Sequence, residues 1–135
     1  MSIRSLLSRV VALALVAAIA LTGCGTNSET GLTGNYRQDT LTVIENLNTL
    51  IETPEDSPKL EDIRDTARQQ INEYTAQYRR DNQVSGLRSF TTMQTALNSL
   101  AGFYSTYGER PLSDKLKKRL KQEFRDVEIS LKRGF

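Results

Sequence analysis

The chain changes character at about residue 35. From there to residue 132, apolar residues recur every three or four positions and do not alternate with polar ones. A spacing of three to four predicts amphipathic helices, whereas strict alternation would predict strands. Four helices are predicted, over residues 35–51, 58–80, 87–107 and 112–132. Helices of this length joined by short connections favour an all-α, up-down-up-down four-helix bundle.

The ends of these helices carry residues that often begin and end helices. Ser57 followed by Pro58 predicts the N-cap and the first position of the second helix. Gly108 and Pro111 predict the end of the third helix. The same spacing predicts one buried stripe on each helix, and it places Leu97 and Leu120 in the core.

The first 23 residues follow a different pattern. Arg4 and Arg9 precede an unbroken aliphatic run over residues 10–21, which is too short for a bilayer span of about 20 residues. A charged start and a short apolar middle are typical of a secretory signal peptide. The run ends in Leu-Thr-Gly-Cys, which resembles the lipobox of bacterial lipoproteins. In those proteins the signal is cut before the cysteine, and the cysteine carries lipid.

Cys24 is the only cysteine in the chain. It is interpreted as the lipidated residue, and the alternative is an ordinary signal peptide with a stray cysteine near its end. The chain then divides into a signal peptide over residues 1–23, a flexible tether over residues 24–34 and a bundle domain over residues 35–133. The tether is predicted because its residues are mostly small, polar and rich in glycine.

Charge is balanced overall but divided along the chain. Without residues 1–23, the chain has 16 basic and 16 acidic residues. Residues 24–78 have a net charge of −6, and residues 79–135 have a net charge of +6. The two halves either neutralise each other within the bundle or orient a partner on approach. A net charge of zero gives no indication of nucleic-acid binding.

The composition excludes several kinds of chemistry. The chain has no His and no Cys after position 24, which excludes disulfides, histidine-assisted nucleophilic catalysis and the usual zinc sites. No glycine-rich phosphate loop is present, so neither an enzyme nor a cofactor is predicted. An acidic cluster between Glu55 and Asp65 lacks the spacing of a calcium-binding loop. It either binds a cation or complements the dipole of the second helix.

Three surface features are candidates for binding a partner. Residues 89–108 contain no charge, so the outer half of the third helix either contacts a partner without desolvating charge or is covered within the monomer. The basic face of the fourth helix is either solvated or steers a partner. The corner at residues 79–81 either caps the second helix or pairs with an acidic group. The residues predicted to bind are Arg79, Arg80, Asp81, Thr91, Thr95, Asn98, Gly102 and Lys118.

The chain also resembles a known family, the photosystem II assembly and repair lipoproteins of the cyanobacterial thylakoid lumen. The similarity lies in TGLTGNYRQDTLTVIENL, YRRD and SFTTMQTALNSLAGFYSTYGERPLSDKLKKRL. It implies a monomeric four-helix bundle without enzymatic activity, lipid-anchored on the lumenal side of the thylakoid membrane. It also implies transient binding to the chlorophyll-binding inner-antenna subunit of photosystem II, before the manganese cluster and the mature extrinsic proteins are in place. A generic lipid-anchored protein of the envelope is the alternative.

Overall fold

The computed structural model describes residues 30–135, which form four helices. In chain order they are α1 (Tyr36–Glu52), α2 (Leu60–Tyr78), α3 (Arg88–Tyr107) and α4 (Asp114–Arg133). α1 packs along α2, α3 packs along α4, and α1 also contacts α4. Residues 30–135 contain no strand, and the predicted all-α bundle is confirmed. None of these four helices is long and apolar enough to cross a membrane.

The core is built from the apolar stripes that the spacing predicted. Leu47, Met93 and Leu120 have no exposed surface, and Leu97 is 2 % exposed. The predicted core positions Leu97 and Leu120 are therefore confirmed. Burial of a side chain of this size contributes about 1.5–3 kcal/mol, so the facing stripes hold the helices together.

Aromatic rings fill the end of the bundle at which α1 begins. Tyr36, Tyr74 and Tyr78 lie with ring centroids 5.0 to 6.4 Å apart, and Phe90 lies 6.3 Å from Tyr74. The Tyr74 hydroxyl lies 2.8 Å from the hydroxyl of Thr40, which satisfies two polar groups that would otherwise be buried without partners. Burial raises the pKa of the Tyr74 hydroxyl well above its ordinary value.

Capping residues define several helix ends, and of those described next only Gly108 was predicted; α4 begins at Asp114, two residues after the predicted start at residue 112. Asn35 caps α1, because its side-chain oxygen accepts a hydrogen bond from the backbone nitrogen of Gln38 at 3.0 Å. Ser113 caps α4 in the same way, through the backbone nitrogen of Leu116 at 3.2 Å. Gly108 ends α3 with a φ of 65°, a conformation that favours glycine.

The predicted start of α2 is wrong by two residues. The helix begins at Leu60, with Lys59 as its N-cap. Ser57 forms a turn before the helix: its Oγ accepts a hydrogen bond from the backbone nitrogen of Lys59 at 3.3 Å, and its carbonyl accepts one from Leu60 at 3.2 Å. A serine that bonds the backbone two residues on stabilises a turn in place of a cap. α2 also ends at Tyr78, before the predicted end at Arg80.

Residues 30–34 lie against the bundle, which differs from the flexible tether predicted over residues 24–34. Leu32 is 3 % exposed, and the backbone nitrogens of Thr33 and Gly34 donate hydrogen bonds to a side chain of α1. One leucine among small polar residues shows no periodicity, and the pattern therefore predicts a tether there. Cys24 and the predicted signal peptide lie outside the described residues.

Candidate docking groove between the second and third helices

A groove runs between α2 and α3, which pack less closely than the other helices that follow each other in the chain. It consists of two clefts of about 340 and 620 Å³. Ile71 and Asn72 of α2 and Ala101 of α3 line both clefts, so the clefts form one continuous groove. Leu97 and Leu100 of the core contribute to its floor, which is therefore largely apolar.

Arg64, Arg68 and Tyr104 form one end of the groove. The two guanidinium groups lie 5.9 and 5.8 Å from the centroid of the Tyr104 ring, within the range of a cation–π interaction. Arg64 is 7 % exposed. Its Nη2 donates to the backbone carbonyl of Glu109 at 3.4 Å, and its Nε has no hydrogen-bond partner among the described residues. This end therefore combines positive charge with an unused buried donor.

The hydroxyl of Tyr104 stays protonated at this basic end. Burial raises its pKa, although the neighbouring Arg64 and Arg68 act in the opposite direction. The ring therefore presents a neutral phenol and an electron-rich face to the two guanidinium groups. The positive charge at this end is offset only by exposed carboxylates, Glu109 at 3.9 Å from Arg64 and Asp65 at 3.7 Å from Arg68. Exposed pairs of this kind are weak, so the carboxylates of an acidic partner can replace them.

Arg79 and Arg80 form the other end of the groove, beside Asn98 of α3. Both arginines are exposed, and neither forms an ion pair with another described residue. Along α2, Arg68 and Arg79 are separated by about 16 Å, from a helical rise of 1.5 Å per residue. The groove therefore has an apolar floor between two basic ends, and three of the predicted binding residues meet at one of them.

Asp81, also predicted to bind, does not line the groove. Its Oδ1 accepts a hydrogen bond from the backbone nitrogen of Gln83 at 2.9 Å. Its carbonyl accepts bonds from the backbone nitrogens of Val84 and Ser85 at 3.0 and 2.8 Å. These bonds are local, and Asp81 therefore shapes the turn that follows α2.

The outer α3 face, which includes four of the predicted binding residues, is exposed along its length. Its residues are Thr91, Thr95, Asn98, Gly102 and Ser105. The alternative that these positions are covered within the monomer is wrong for the described residues. The Thr91 and Thr95 hydroxyls donate to backbone carbonyls one turn earlier, at 3.2 and 3.1 Å. Because those hydrogens are already bonded, a partner would cover this face at little cost in desolvation.

Lys118 lies on a different surface from the groove. It is exposed on α4, which packs against α3 and α1. Nearby bases are partly paired, Arg119 with Glu123 at 3.0 Å and Lys121 with Glu52 at 3.2 Å. Exposed pairs of this kind contribute roughly 0–1 kcal/mol. The structure therefore does not bring Lys118 together with the other predicted binding residues.

Arg64 and its neighbours were not predicted to form part of a site. Arg64 lies four residues after Leu60 and three before Ala67, and therefore on the buried stripe of α2. A charged residue at a stripe position is the signal that could have found it, because arginine is almost never fully buried unless it is paired. No comparable signal in the sequence brings Arg68 and Tyr104 together, since they belong to different helices.

The acidic cluster does not assemble a cation site. Within residues 30–135, no three side chains of His, Cys, Asp or Glu lie close enough together to hold a metal ion. Asp65 lies 3.7 Å from Arg68, one turn further along the helix. Glu61 and Asp62 lie in the first turn of α2, where negative charge complements the helix dipole. The structure therefore favours the dipole interpretation.

An apolar groove beside an exposed face without charge is typical of a surface that binds another protein. The bundle and the groove thus indicate a small helical docking protein. Residues 1–131 match the family described as Photosystem II Pbs27. The chain belongs to this family, and the resemblance found in the sequence is confirmed.

Several relatives are named for photosystem II. Photosystem II lipoprotein Psb27 of Synechocystis sp. is 58 % identical over 132 residues, which cover 98 % of this chain and 97 % of the relative. Photosystem II assembly factor lipoprotein Psb27 of Thermosynechococcus vestitus is 52 % identical over 124 residues, 92 % of each chain. Photosystem II repair protein PSB27-H1 of Arabidopsis thaliana is 30 % identical over 100 residues, 73 % of this chain and 58 % of the relative.

Two solved structures share the fold. The solution structure of Psb27 from cyanobacterial photosystem II superposes with a TM-score of 0.74 at 58 % identity, covering 82 % of this chain and 96 % of that one. The crystal structure of PSB27 from Arabidopsis thaliana superposes with a TM-score of 0.71 at 30 % identity, covering 74 % and 98 %.

Proposed function

We propose that this chain is a non-enzymatic assembly and repair factor of photosystem II, anchored by lipid at Cys24 to the lumenal side of the thylakoid membrane. It binds as a monomer to the lumenal side of the chlorophyll-binding inner-antenna subunit. Binding is transient and precedes the manganese cluster and the mature extrinsic proteins. Membership of the photosystem II family and the names of the relatives as lipoprotein, assembly factor and repair protein support this role.

The observation that carries the proposal is the exposed outer α3 face beside the groove. Solubility does not call for a helix surface without charge, whereas contact with a partner does, because buried charges lose their hydration. Gly102 lies within this face, and a Cβ placed there would meet nothing within 4 Å. A partner can therefore approach the backbone of α3 closely at this position.

The groove suits a partner segment that has apolar residues between acidic ones. Its basic ends are about 16 Å apart along α2, a distance that about five residues of extended chain would span. Arginine binds carboxylates through two parallel hydrogen bonds, and Arg64 holds an unused donor at one end. A lumenal loop of the inner-antenna subunit with this pattern would fill the groove.

The basic face around Lys118 steers the partner rather than holding it. Charges outside a contact affect the rate of association more than affinity, and their attraction is screened over about 8 Å at physiological ionic strength. Lys118→Glu should therefore slow association with photosystem II and leave the dissociation rate unchanged. A large increase in the dissociation rate would place Lys118 inside the contact.

A substitution at the middle of the groove tests the proposed contact. Ala101 is exposed and lines both clefts, so Ala101→Lys fills the groove with a long charged side chain and spares the core. We expect the immobilised variant to lose capture of photosystem II from solubilised cyanobacterial thylakoids. Ile129→Lys on α4 is the matched control, because Ile129 is also exposed and helical. Capture lost only in the control would assign the contact to α4.

Two further sets of variants test the basic end of the groove at Arg79 and Arg80, and the lipid anchor at Cys24. Arg79→Ala and Arg80→Ala should weaken binding without changing stability if these side chains pair with the partner. A loss of stability alone would support the capping interpretation.

Cys24→Ala should block lipoprotein processing and release any exported protein from the membrane. A native mass equal to that of the unmodified polypeptide would contradict lipidation.

A further inference from the structure

The N-terminal strap, residues 30–34, is fixed to the bundle by a buried carboxylate. Asp39 of α1 has no exposed surface. Its Oδ1 accepts hydrogen bonds from the backbone nitrogen and the hydroxyl of Thr33, at 2.7 and 2.9 Å. Its Oδ2 accepts bonds from the backbone nitrogen of Gly34 at 2.9 Å and from the Tyr78 hydroxyl of α2 at 2.5 Å. Bonds to an ionised acceptor are stronger than neutral ones, so the strap is held firmly.

Further contacts guide the strap along the seam between α1 and α2. Leu32 is buried in the core cluster. Gln70 of α2 donates from its side chain to the carbonyl of Thr30 at 2.8 Å, and the Thr30 hydroxyl donates to the carboxylate of Glu73. Asn46 of α1 donates to the side chain of Gln70 at 3.0 Å. Thr30 therefore lies over the line where α1 and α2 meet.

The strap shortens the chain that links the bundle to Cys24. From Cys24 to Thr30 there are six residue steps, which span at most about 20 Å in any conformation. If the strap were free, the eleven steps from Cys24 to Asn35 would span up to about 38 Å. A bundle two helices thick measures about 20 to 24 Å. The strap therefore limits the reach of the anchor to about one bundle thickness.

We infer that the strap, together with the lipid anchor, orients the bundle on the membrane so that the α1/α2 seam lies nearest the bilayer. The inference rests on the proposed anchor at Cys24. The seam and the groove lie on two sides of α2, because Gln70 bonds to α1 whereas Asn72 lines the groove with α3. With the seam towards the bilayer, the groove opens sideways along the membrane plane. A partner embedded in the same membrane then meets the groove directly.

Charge alone would favour another orientation. The basic face of α4 would be drawn to an anionic membrane surface, whereas the seam carries the carboxylates of Asp62 and Glu73. That attraction is screened over about 8 Å at physiological ionic strength. The covalent link acts at any ionic strength, and its length keeps the seam within about 20 Å of the lipid. The link therefore excludes orientations in which the seam faces away from the bilayer, at any ionic strength.

The orientation can be measured on lipid nanodiscs. The chain from Cys24 onward has one cysteine, which can be coupled to a maleimide lipid whether or not the cell lipidates it. A gadolinium-chelating lipid in the nanodisc then broadens the methyl signals that lie near the bilayer. Ile63 lines a cleft along the seam, and Ile129 is 47 % exposed on α4. The Ile63 methyl should relax several times faster than that of Ile129.

Two variants should remove the preferred orientation of the bundle in different ways. A Gly-Ser insertion after Gly25 that doubles the link to Thr30 lengthens the chain outside the strap and leaves the bundle unchanged. Asp39→Ala frees the strap itself. In both variants the difference between Ile63 and Ile129 should largely disappear, and the insertion keeps the test valid if Asp39→Ala does not fold.

Equal relaxation of Ile63 and Ile129 in the unaltered, coupled chain would overturn the inference. A difference that persists at full size after the insertion would overturn it as well. The native mass of the protein is a separate readout. If Cys24 carries no lipid in the cell but the coupled chain still shows the difference, the proposed anchor fails while the orienting action of the strap stands.

Discussion

Gly102 offers a substitution that should change stability and binding in opposite directions. It lies in the interior of α3 and is exposed. A Cβ placed there would meet nothing within 4 Å, and Gly102 is not among the glycines with positive φ. A side chain at this position therefore fits without a clash and without backbone strain.

The expected gain in stability follows from helix propensity. Glycine in a helix interior is about 0.8–1.0 kcal/mol less favourable than alanine, and ordinary residues lie within about 0.7 kcal/mol of alanine. Gly102→Ala should therefore raise the free energy of unfolding by about 0.8–1 kcal/mol, and Gly102→Glu by about 0.3–0.6 kcal/mol. Binding to photosystem II should nevertheless be lost in Gly102→Glu, because its carboxylate would be buried in the contact without a designed partner.

The assay combines urea melts with capture of photosystem II from solubilised thylakoids. Gly102→Ala is the matched control, since it adds a Cβ without charge and should bind far better than Gly102→Glu. A Gly102→Glu chain that is as stable as the unaltered protein and binds equally well would refute the assignment of the outer α3 face. A marked loss of stability would instead refute the open surroundings of Gly102.

The remaining predictions concern stability. Asp39→Ala should lower the free energy of unfolding by about 3–5 kcal/mol, because it leaves buried donors unpaired. The exposed control Asp65→Ala should change it by less than about 0.5 kcal/mol. Similar losses for the two variants in urea melts would contradict the stabilising role of the buried Asp39 carboxylate. Leu120→Ala should cost about 2–5 kcal/mol and Thr95→Ala far less, and equal losses would mean that the helical phase is wrong. Burial raises the pKa of Tyr74 in the folded chain above its ordinary 10.0. Above pH 10 the unfolded chain therefore loses this proton while the folded chain keeps it, and the free energy of unfolding should fall as pH rises further. Tyr74→Phe should flatten this alkaline decline in thermal melts, and an unchanged slope would contradict the prediction.

The helices and the core could be predicted because both depend on spacing within one segment. Leu97 and Leu120 were placed in the core by the three- and four-residue period alone. The start of α2 could not be placed correctly, because Ser57 and Pro58 fit a turn as well as a helix start. The choice depends on which backbone groups the Ser57 side chain bonds, and the period does not contain that information.

The site could be predicted only in part, because its residues meet across helices. Arg79 and Asn98 were both predicted to bind, but their meeting in one groove depends on α2 and α3 packing loosely. The sequence did not single out Asp39, because its partners are far apart in the chain. Thr33 precedes it, and Tyr78 follows it in another helix. Lys118 was predicted from the basic face of α4, and it lies on a different surface of the bundle from the groove.

Site-specific photocrosslinking tests most directly whether the groove and the outer α3 face contact the inner-antenna subunit. A photoreactive residue at Asn98 lies in the groove, and one at Ile129 lies exposed on α4 as the matched control. After illumination of thylakoids that contain either variant, mass spectrometry identifies the attached protein. If the groove and the outer α3 face form the contact, position 98 attaches to the lumenal side of the chlorophyll-binding inner-antenna subunit and position 129 does not. Attachment to that subunit from position 129, with none from position 98, would contradict this assignment.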